Sequence, residues 1–201
     1  MKEPMQFSEM EAYSQYLKGR SLSGFLYRKY CLYPKLTRKL SGKVLDYGCG
    51  IGDFVRFRAN TVGVDINSHN VNYCLQQGLD AKLIEGNHIP FVNGSFDGVV
   101  LDNVLEHIPG DMADSVIEEI KRVLKVGGTI VVGVPGLKGY HSDPDHKVFY
   151  TEESLTSLFA RHGFETREVF FMPIALKKLQ RILRQFCIYA VFTLKDECQV
   201  E

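Results

Sequence analysis

The segment from Val44 to Asp53 carries the residues whose types and spacing point most directly to chemistry. Three glycines, Gly48, Gly50 and Gly52, stand at alternate positions directly after a short apolar run. A strand that leads into such a loop forms a tight turn whose backbone approaches a ligand closely, because no Cβ blocks it. The spacing therefore predicts a loop that binds a cofactor.

Acidic residues near this loop indicate the kind of cofactor. Asp46 ends the apolar run, and Asp53 stands where the dinucleotide fingerprint GxGxxG has its last glycine. Carboxylates beside the ligand disfavour a pyrophosphate and favour a cationic group by charge complementarity. Asp65, which ends the next apolar run, is placed to bind both hydroxyls of a ribose. The pattern predicts a cationic nucleoside cofactor rather than a nicotinamide dinucleotide.

A second group of reactive residues lies in the segment 136–151, which follows the predicted fifth strand. It contains His141, Asp143 and His146. Such a loop lies above the carboxyl ends of the strands, where ligands bind, and histidine is suited to act as a base near neutral pH. The alternative is a turn at Asp143 with His146 bonded to the backbone, and both interpretations stay open. The spacing carries no decisive metal-ligand signature, so no metal is expected.

Short apolar runs alternating with longer amphipathic segments position these residues. The predicted strands are Val44–Tyr47, Thr61–Asp65, Ala81–Glu85, Phe96–Asp102 and Thr129–Val134. Strands that are apolar on both faces belong to a parallel sheet covered by helices. Helices are predicted over Met112–Leu124, ended by Gly127-Gly128, and over Glu152–His162, with Thr151 as N-cap.

The two ends of the chain complete the fold. Leu22–Leu40 is predicted to be helical, with a bend or an end at Pro34. Glu165–Phe171 and Ile188–Leu194 are predicted strands that pair antiparallel at one edge, because no crossover joins them. The prediction is an α/β fold: a Rossmann-like, doubly wound, mostly parallel seven-stranded sheet with an antiparallel edge strand and an N-terminal helical extension. The single domain divides into a helical extension (1–42), a cofactor-binding core (43–135) and a substrate-side region (136–201).

A basic stretch, Ile174–Phe186, is predicted to form an amphipathic helix. Lys177, Arg181 and Arg184 would fall on one side of it. Such a helix binds an anionic membrane surface or closes over an acidic substrate. The alternative is an ordinary surface helix whose apolar side packs on the domain.

Five short motifs follow one another in residues 43–135. They are Val44-Leu45-Asp46-Tyr47-Gly48-Cys49-Gly50-Ile51-Gly52, Gly86-Asn87-His88-Ile89-Pro90-Phe91, Ser95-Phe96-Asp97-Gly98-Val99, Val104-Leu105-Glu106-His107 and Arg122-Val123-Leu124-Lys125-Val126-Gly127-Gly128. In type and order they resemble the class I S-adenosylmethionine-dependent methyltransferases, in particular the small-molecule group called type 11. The resemblance implies S-adenosylmethionine as cofactor and S-adenosylhomocysteine as product.

The resemblance also implies roles for particular residues. The implied cofactor-binding set is Asp46, Gly48, Cys49, Gly50, Gly52, Asp65, Ile66, Asn87, His88, Asn103, Val104 and Leu105. Within it the glycine loop surrounds the methionine part, Asp65 binds the ribose, and Ile66 packs on the adenine. The catalytic candidates on the acceptor side are His146, His141, Asp143 and His107.

The acceptor is expected to be a hydroxyl of a small molecule or glycan. The segment from Asp143 to Thr151 resembles a pattern in methyltransferases of sugar and surface-polysaccharide biosynthesis. The alternatives are methylation of RNA or protein, and a catalytically silent partner subunit that binds the cofactor. A sequence pI of about 7.0 disfavours a nucleic-acid partner.

Length and composition limit the range of these predictions. The chain has 201 residues, of which 45% are hydrophobic and 24% charged, as in one soluble globular domain. Its five cysteines are scattered and form no CxxC pair, and no signal peptide is visible at the N-terminus. We therefore expect a cytoplasmic protein.

Overall fold

The computed structural model describes residues 7–19 and 21–195, so Cys198 and the N-terminal six residues lie outside the described part. The strands are β1 (Val44–Tyr47), β2 (Thr61–Asp65), β3 (Ala81–Leu83), β4 (Phe96–Asp102), β5 (Leu124–Pro135), β6 (Phe164–Met172) and β7 (Cys187–Leu194). They form one seven-stranded sheet in the order β3-β2-β1-β4-β5-β7-β6. β1 to β5 are parallel, and β7 runs antiparallel between β5 and β6. The predicted fold class and the antiparallel pairing at this edge are confirmed.

The centre of the sheet is β1, and all four of its residues are buried. Asp46 of β1 lies beside Gly63 of β2 and Val100 of β4. Because these strands are parallel, their carboxyl ends open at the same edge of the sheet. The loops that carry the predicted site residues therefore meet at that edge.

Helices cover both faces of the sheet. They are α1 (Phe7–Lys18), α2 (Leu22–Tyr27), α3 (Tyr33–Thr37), α4 (Asp53–Phe57), α5 (Ser68–Gln76), α6 (Gly110–Val123), α7 (Leu137–Tyr140) and α8 (Glu152–Arg161). One face buries Ile117 and Ile120 of α6 in the main core, and the other packs Tyr33 and Leu36 of α3 against the sheet. Thr151 caps α8, as predicted.

The predicted C-terminal end of α6 is wrong. The helix ends at Val123, and Gly127-Gly128 lies inside β5 rather than after the helix. Leu124, the next residue, already pairs with Phe96 of β4. The strand pairing therefore ends the helix before the glycines are reached.

The N-terminal helical extension is present, and of the two outcomes predicted at Pro34, a bend or an end, the end does not occur. A π-helical turn, Arg28–Leu32, joins α2 to α3, and the Tyr33 N–H donates to the Arg28 carbonyl. Pro34 then lies in the first turn of α3, where a helix needs no N–H donor. The helical path continues through the proline for this reason.

The predicted amphipathic helix over Ile174–Phe186 is also wrong. The segment instead contains a short 3₁₀ helix, Lys177–Arg181. Leu183 packs against the main core, while Phe186 is fully buried and its carbonyl accepts from the Gly136 N–H over 2.7 Å. Because β7 begins at the next residue, these tertiary contacts override the helical period.

Arg122, in the last turn of α6, holds the loop that follows β3. Its guanidinium donates to the carbonyls of Ile89 and Phe91, each over 2.8 Å, and to the carboxylate of Glu119 over 2.8 Å. Glu119 also accepts from the Ile89 N–H over 2.9 Å. The Arg122 hydrogen bond lowers the pKa of Glu119 to about 2. One ion pair therefore fixes the backbone beside the predicted adenine site.

Replacing Arg122 by Lys should destabilise the protein, because a single ammonium does not reproduce the planar fork that bonds two carbonyls and a carboxylate. We expect a loss of about 1–3 kcal/mol in the free energy of unfolding, measured by urea denaturation. The control is Arg161→Lys, which changes an exposed arginine paired with Asp114 and should cost under about 0.5 kcal/mol. Equal losses of unfolding free energy in the two variants would contradict the role of Arg122 in holding the loop after β3.

Candidate functional site

The loop between β1 and α4 depends on a left-handed backbone at three positions. The φ angles are +75° at Gly48, +54° at Gly50 and +77° at Gly52. Residues with a Cβ rarely adopt this conformation. The N–H groups of Gly48 and Cys49 both donate to the Val64 carbonyl, which ties the loop to β2. The left-handed backbone at these three positions thus explains why glycines alternate in the sequence.

The loop is also a close-fitting cradle. A Cβ on Gly48 would lie 2.6 Å from Val104 Cγ2, and a Cβ on Gly50 would lie 3.1 Å from Leu17 Cδ1. Leu17 belongs to α1 and is buried, so the N-terminal helix lies over the loop. Both positions therefore exclude a Cβ, because side chains of this chain pack directly against the loop.

Asp65, at the end of β2, organises the cradle. Its Oδ2 accepts from the Gly50 N–H over 2.8 Å and from Asn70 Nδ2 over 3.2 Å, and its Oδ1 accepts from the Asn67 N–H over 2.8 Å. Burial raises the pKa of Asp65, and these hydrogen bonds oppose that increase. Its predicted contact with a ribose stays a prediction. The neighbouring Ile66 is 60% exposed and offers an apolar surface beside it.

Asp46 is the acid most deeply placed under the loop. Burial raises its pKa well above the ordinary value, and the nearby carboxylates of Asp102 and Asp65 raise it further. Such mutual repulsion between acids is relieved by a bound cation. The electrostatics of the site therefore favour a positively charged ligand, as the sequence predicts.

The loop after β3 carries two further residues predicted to contact the cofactor. Asn87 donates to the Ser115 hydroxyl over 3.1 Å, and His88 lies 3.2 Å from Glu119. Both side chains are therefore engaged with α6. Their contact with an adenine stays a prediction.

The residues after β4 have different environments. Asn103 has a left-handed backbone, with φ +58°, and its N–H donates to the Gly133 carbonyl of β5 over 2.9 Å. Val104 lies against the glycine loop, whereas the Leu105 side chain is fully buried in the main core. A contact between Leu105 and a cofactor would therefore involve its backbone.

Two histidines and one acid converge on the acceptor side of the sheet edge. Glu106, His107 and His146 each place a ligating atom within 4.8 Å of the others. The rings of His107 and His146 meet edge to face with centroids 4.7 Å apart. Glu106 was not identified as a functional residue from the sequence, since only the tertiary structure shows that its carboxyl is buried beside both imidazoles. We call these three residues the histidine cluster.

The other two catalytic candidates are less closely associated with the cluster. Asp143 Oδ1 accepts from the Asp145 N–H over 2.9 Å, which is the turn considered in the sequence analysis, and its Oδ2 lies 4.0 Å from His146 Nε2. His141 is exposed, and its ring contacts Tyr140. Asp143 thus lies at the rim of the cluster.

A half-buried acid at the end of β4, Asp102, was not identified as a site residue from the sequence. Asp102 accepts from the Tyr189 hydroxyl over 2.6 Å and from Asn103 Nδ2 over 2.9 Å, and it pairs with Arg28 at 3.3 Å. Arg28 comes from the π-helical turn and Tyr189 from β7. Partners from such distant segments leave no local spacing signal.

The fold and the site together define the class of protein. A doubly wound parallel sheet with an antiparallel β7, a left-handed glycine loop after β1 and a buried acid at the end of β2 form a class I S-adenosylmethionine-dependent methyltransferase domain. Comparisons with known proteins agree with this class.

The family model described as "Methyltransferase domain" matches residues 45–132 of this chain. An uncharacterised protein of Methanocaldococcus jannaschii is 32% identical over 156 residues, which cover 73% of this chain and 66% of that protein. A sterol 24-C-methyltransferase of Schizosaccharomyces pombe is 31% identical over 140 residues, which cover 63% of this chain and 36% of that protein. A solved methyltransferase of Thermotoga maritima, described as a possible histamine N-methyltransferase, superposes with a TM-score of 0.72 at 18% identity, covering 92% of this chain and 98% of that one.

The chain spans only part of the curated relatives it matches, from 26% to 66% of the length of the first five. Within residues 7–19 and 21–195, no helix has the length and apolar character needed to cross a bilayer.

Affinity for S-adenosylmethionine should depend on the ionisation of Asp46. Because its pKa is raised, the carboxyl protonates at a higher pH than an ordinary aspartate, and affinity should fall as the pH is lowered through that raised pKa. We expect Asp46→Asn to weaken binding about tenfold near neutral pH and to abolish the pH dependence. Calorimetric titrations between about pH 5 and pH 8 measure both effects.

The control is Asp111→Asn, at the exposed start of α6, which should leave affinity and its pH dependence unchanged. A wild-type affinity that stays constant over this range would show that Asp46 does not control cofactor binding.

Proposed function

We propose that the protein transfers the methyl group of S-adenosylmethionine to a hydroxyl of a small-molecule or glycan acceptor and releases S-adenosylhomocysteine. The observation that carries this proposal is the placement of the acidic glycine loop and the histidine cluster at the same edge of one sheet. The first suits the cofactor and the second suits an acceptor that must lose a proton.

In this proposal the glycine loop and Asp46 hold the cationic methionine part, Asp65 the ribose, and Ile66 the adenine. When bound, the cofactor supplies a methyl group activated on a sulfonium. The protein aligns the acceptor and excludes water, because methyl transfer is an in-line displacement. The α1 helix over Gly50 supports the exclusion of water.

His146 is the residue that we propose accepts the proton of the acceptor. Its Nδ1 lies 2.9 Å from the Tyr140 carbonyl, which only accepts, so Nδ1 carries the proton and Nε2 keeps its lone pair. The side chain is 8% exposed. Burial and the neighbouring His146 lower the pKa of His107, which favours its neutral form. Neutral imidazoles are the form that general-base catalysis requires.

Methylation at carbon is a second candidate, favoured by the relative named as a sterol 24-C-methyltransferase. We also propose a cytoplasmic location, supported by the free thiols of Cys31, Cys49, Cys74 and Cys187.

The replacement His146→Gln tests the proposed base. We expect kcat to fall about 10²–10⁴-fold while the Kd for S-adenosylhomocysteine changes less than about twofold. Turnover is followed as S-adenosylhomocysteine released with sugar, lipid-linked and sterol-like acceptors, and His162→Gln on the surface is the control.

Release of S-adenosylhomocysteine with sugar hydroxyl acceptors supports the proposal. Release only with sterol-like carbon acceptors favours methylation at carbon. Turnover only with RNA or protein would replace the small-molecule acceptor. Cofactor binding without turnover on any acceptor would instead indicate a silent partner subunit.

We also propose that the segment before β7 contacts an anionic membrane surface. Arg181 and Arg184 are exposed there beside the apolar Leu176 and Ile182. Replacing both arginines by Gln should weaken binding to phosphatidylserine vesicles by about tenfold or more, measured by co-sedimentation. Lys177→Gln is the matched control with a smaller effect, because its ammonium already pairs with Glu152 at 2.5 Å. Equal binding to uncharged phosphatidylcholine vesicles would contradict the electrostatic contact.

A further inference from the structure

The carboxyl group of Glu106 is buried without a partner. The side chain is 1% exposed, and neither Oε1 nor Oε2 has a hydrogen-bond partner. A buried polar group that lacks partners is costly and calls for an explanation.

A simple hydrogen bond to His146 does not provide that explanation. The closest approach, from Glu106 Oε1 to His146 Nε2, is 3.8 Å, which is too long for a hydrogen bond. A protonated Glu106 would still need an acceptor within reach. The space between Glu106 Oε1 and His146 Nε2 is instead wide enough for a third species that contacts both atoms.

Both imidazoles offer a ring nitrogen to this gap. His146 donates from Nδ1 to the Tyr140 carbonyl, and its Nε2 lies 3.8 Å from Glu106 Oε1. His107 forms a hydrogen bond with the backbone of Asp145 and also contributes one ring nitrogen to the cluster. A backbone acceptor for the distal N–H of each imidazole is the usual arrangement of metal-binding histidines.

The backbone keeps the three side chains together. The Glu106 carbonyl accepts from the Lys147 N–H over 2.7 Å and from the Val148 N–H over 3.2 Å. These bonds join the segment after β4, which carries Glu106 and His107, to the segment after β5, which carries His146. The cluster is therefore a feature of the fold rather than an accident of flexible side chains.

We propose that Glu106, His107 and His146 bind a divalent transition-metal ion. Two imidazole nitrogens and one carboxylate oxygen suit Zn²⁺, Fe²⁺ or Co²⁺ and do not suit Mg²⁺ or Ca²⁺, which prefer oxygen ligands. Three protein ligands leave coordination positions for other donors. Metal binding goes beyond the proposed function and does not depend on it.

A bound ion changes how His146 acts. Its Nε2 lone pair is then coordinated, and an acceptor hydroxyl on the ion becomes more acidic, as water does on Zn²⁺. The effect of the ion on the acceptor hydroxyl rests on the proposed methyl transfer. In the protein without metal, His146 itself accepts the proton. Activity measured with and without the ion separates the two mechanisms.

The test is titration of the full chain, stripped with a chelator, with Zn²⁺ by calorimetry and with Co²⁺ by visible absorption. We expect one ion per chain, d–d bands of Co²⁺ with nitrogen and oxygen ligands, and no thiolate charge-transfer band. Glu106→Gln and His146→Gln should each weaken binding at least tenfold. Circular dichroism and S-adenosylhomocysteine binding confirm that each variant is folded.

The matched control is His162→Gln. His162 also contacts two carboxylates, Asp114 and Glu118, but on the surface. The replacement of His162 should leave the stoichiometry and affinity of metal binding at the histidine cluster unchanged. The inference is overturned if fewer than about one ion in ten chains binds, if Glu106→Gln and His146→Gln bind as wild type does, or if the Co²⁺ spectrum shows thiolate ligands. Cofactor binding that persists after such a result leaves the proposed function standing.

Discussion

The hydrogen bonds of one buried carboxylate shape the cofactor side of this protein. Asp65 accepts from the backbone of Gly50 and Asn67 and from the side chain of Asn70, so it fixes the glycine loop, the start of α5 and the end of β2 relative to one another. A buried carboxylate needs such donors, and the loop supplies one only because its glycines adopt positive φ angles. The loop conformation and the acid therefore depend on each other.

The same sheet edge concentrates negative charge although the chain as a whole has a formal net charge of zero. Asp65 and Asp102 end β2 and β4, and Asp46 lies one residue before the end of β1 between them. Burial raises the pKa of Asp46, and the charges of Asp102 and Asp65 raise it further. Arg28 and the Tyr189 hydroxyl stabilise Asp102, while Asp46 lies beneath the glycine loop. The uncompensated part of this charge lies where a cationic cofactor is proposed.

The acceptor side is built differently. Its polar groups lie on segments far apart in the chain, and main-chain hydrogen bonds from Lys147 and Val148 to the Glu106 carbonyl bring them together. One relative is named a sterol 24-C-methyltransferase, and a solved structure of similar fold is described as a possible histamine N-methyltransferase. The fold therefore leaves the acceptor open, because the acceptor is selected by side chains placed on the fold.

The sequence by itself determined the parallel sheet, the glycine loop and the acids around it, because each leaves a local pattern of apolar runs, alternate glycines or acids at the ends of the runs. The boundaries of β1, β2 and β4 followed from apolar runs ended by polar residues. Only the tertiary structure decided the path through Pro34, the loss of the helix over Ile174–Phe186 and the convergence of Glu106 with His107 and His146. These features depend on long-range packing and on strand pairing, which override local periodicity and leave no spacing signal in the sequence.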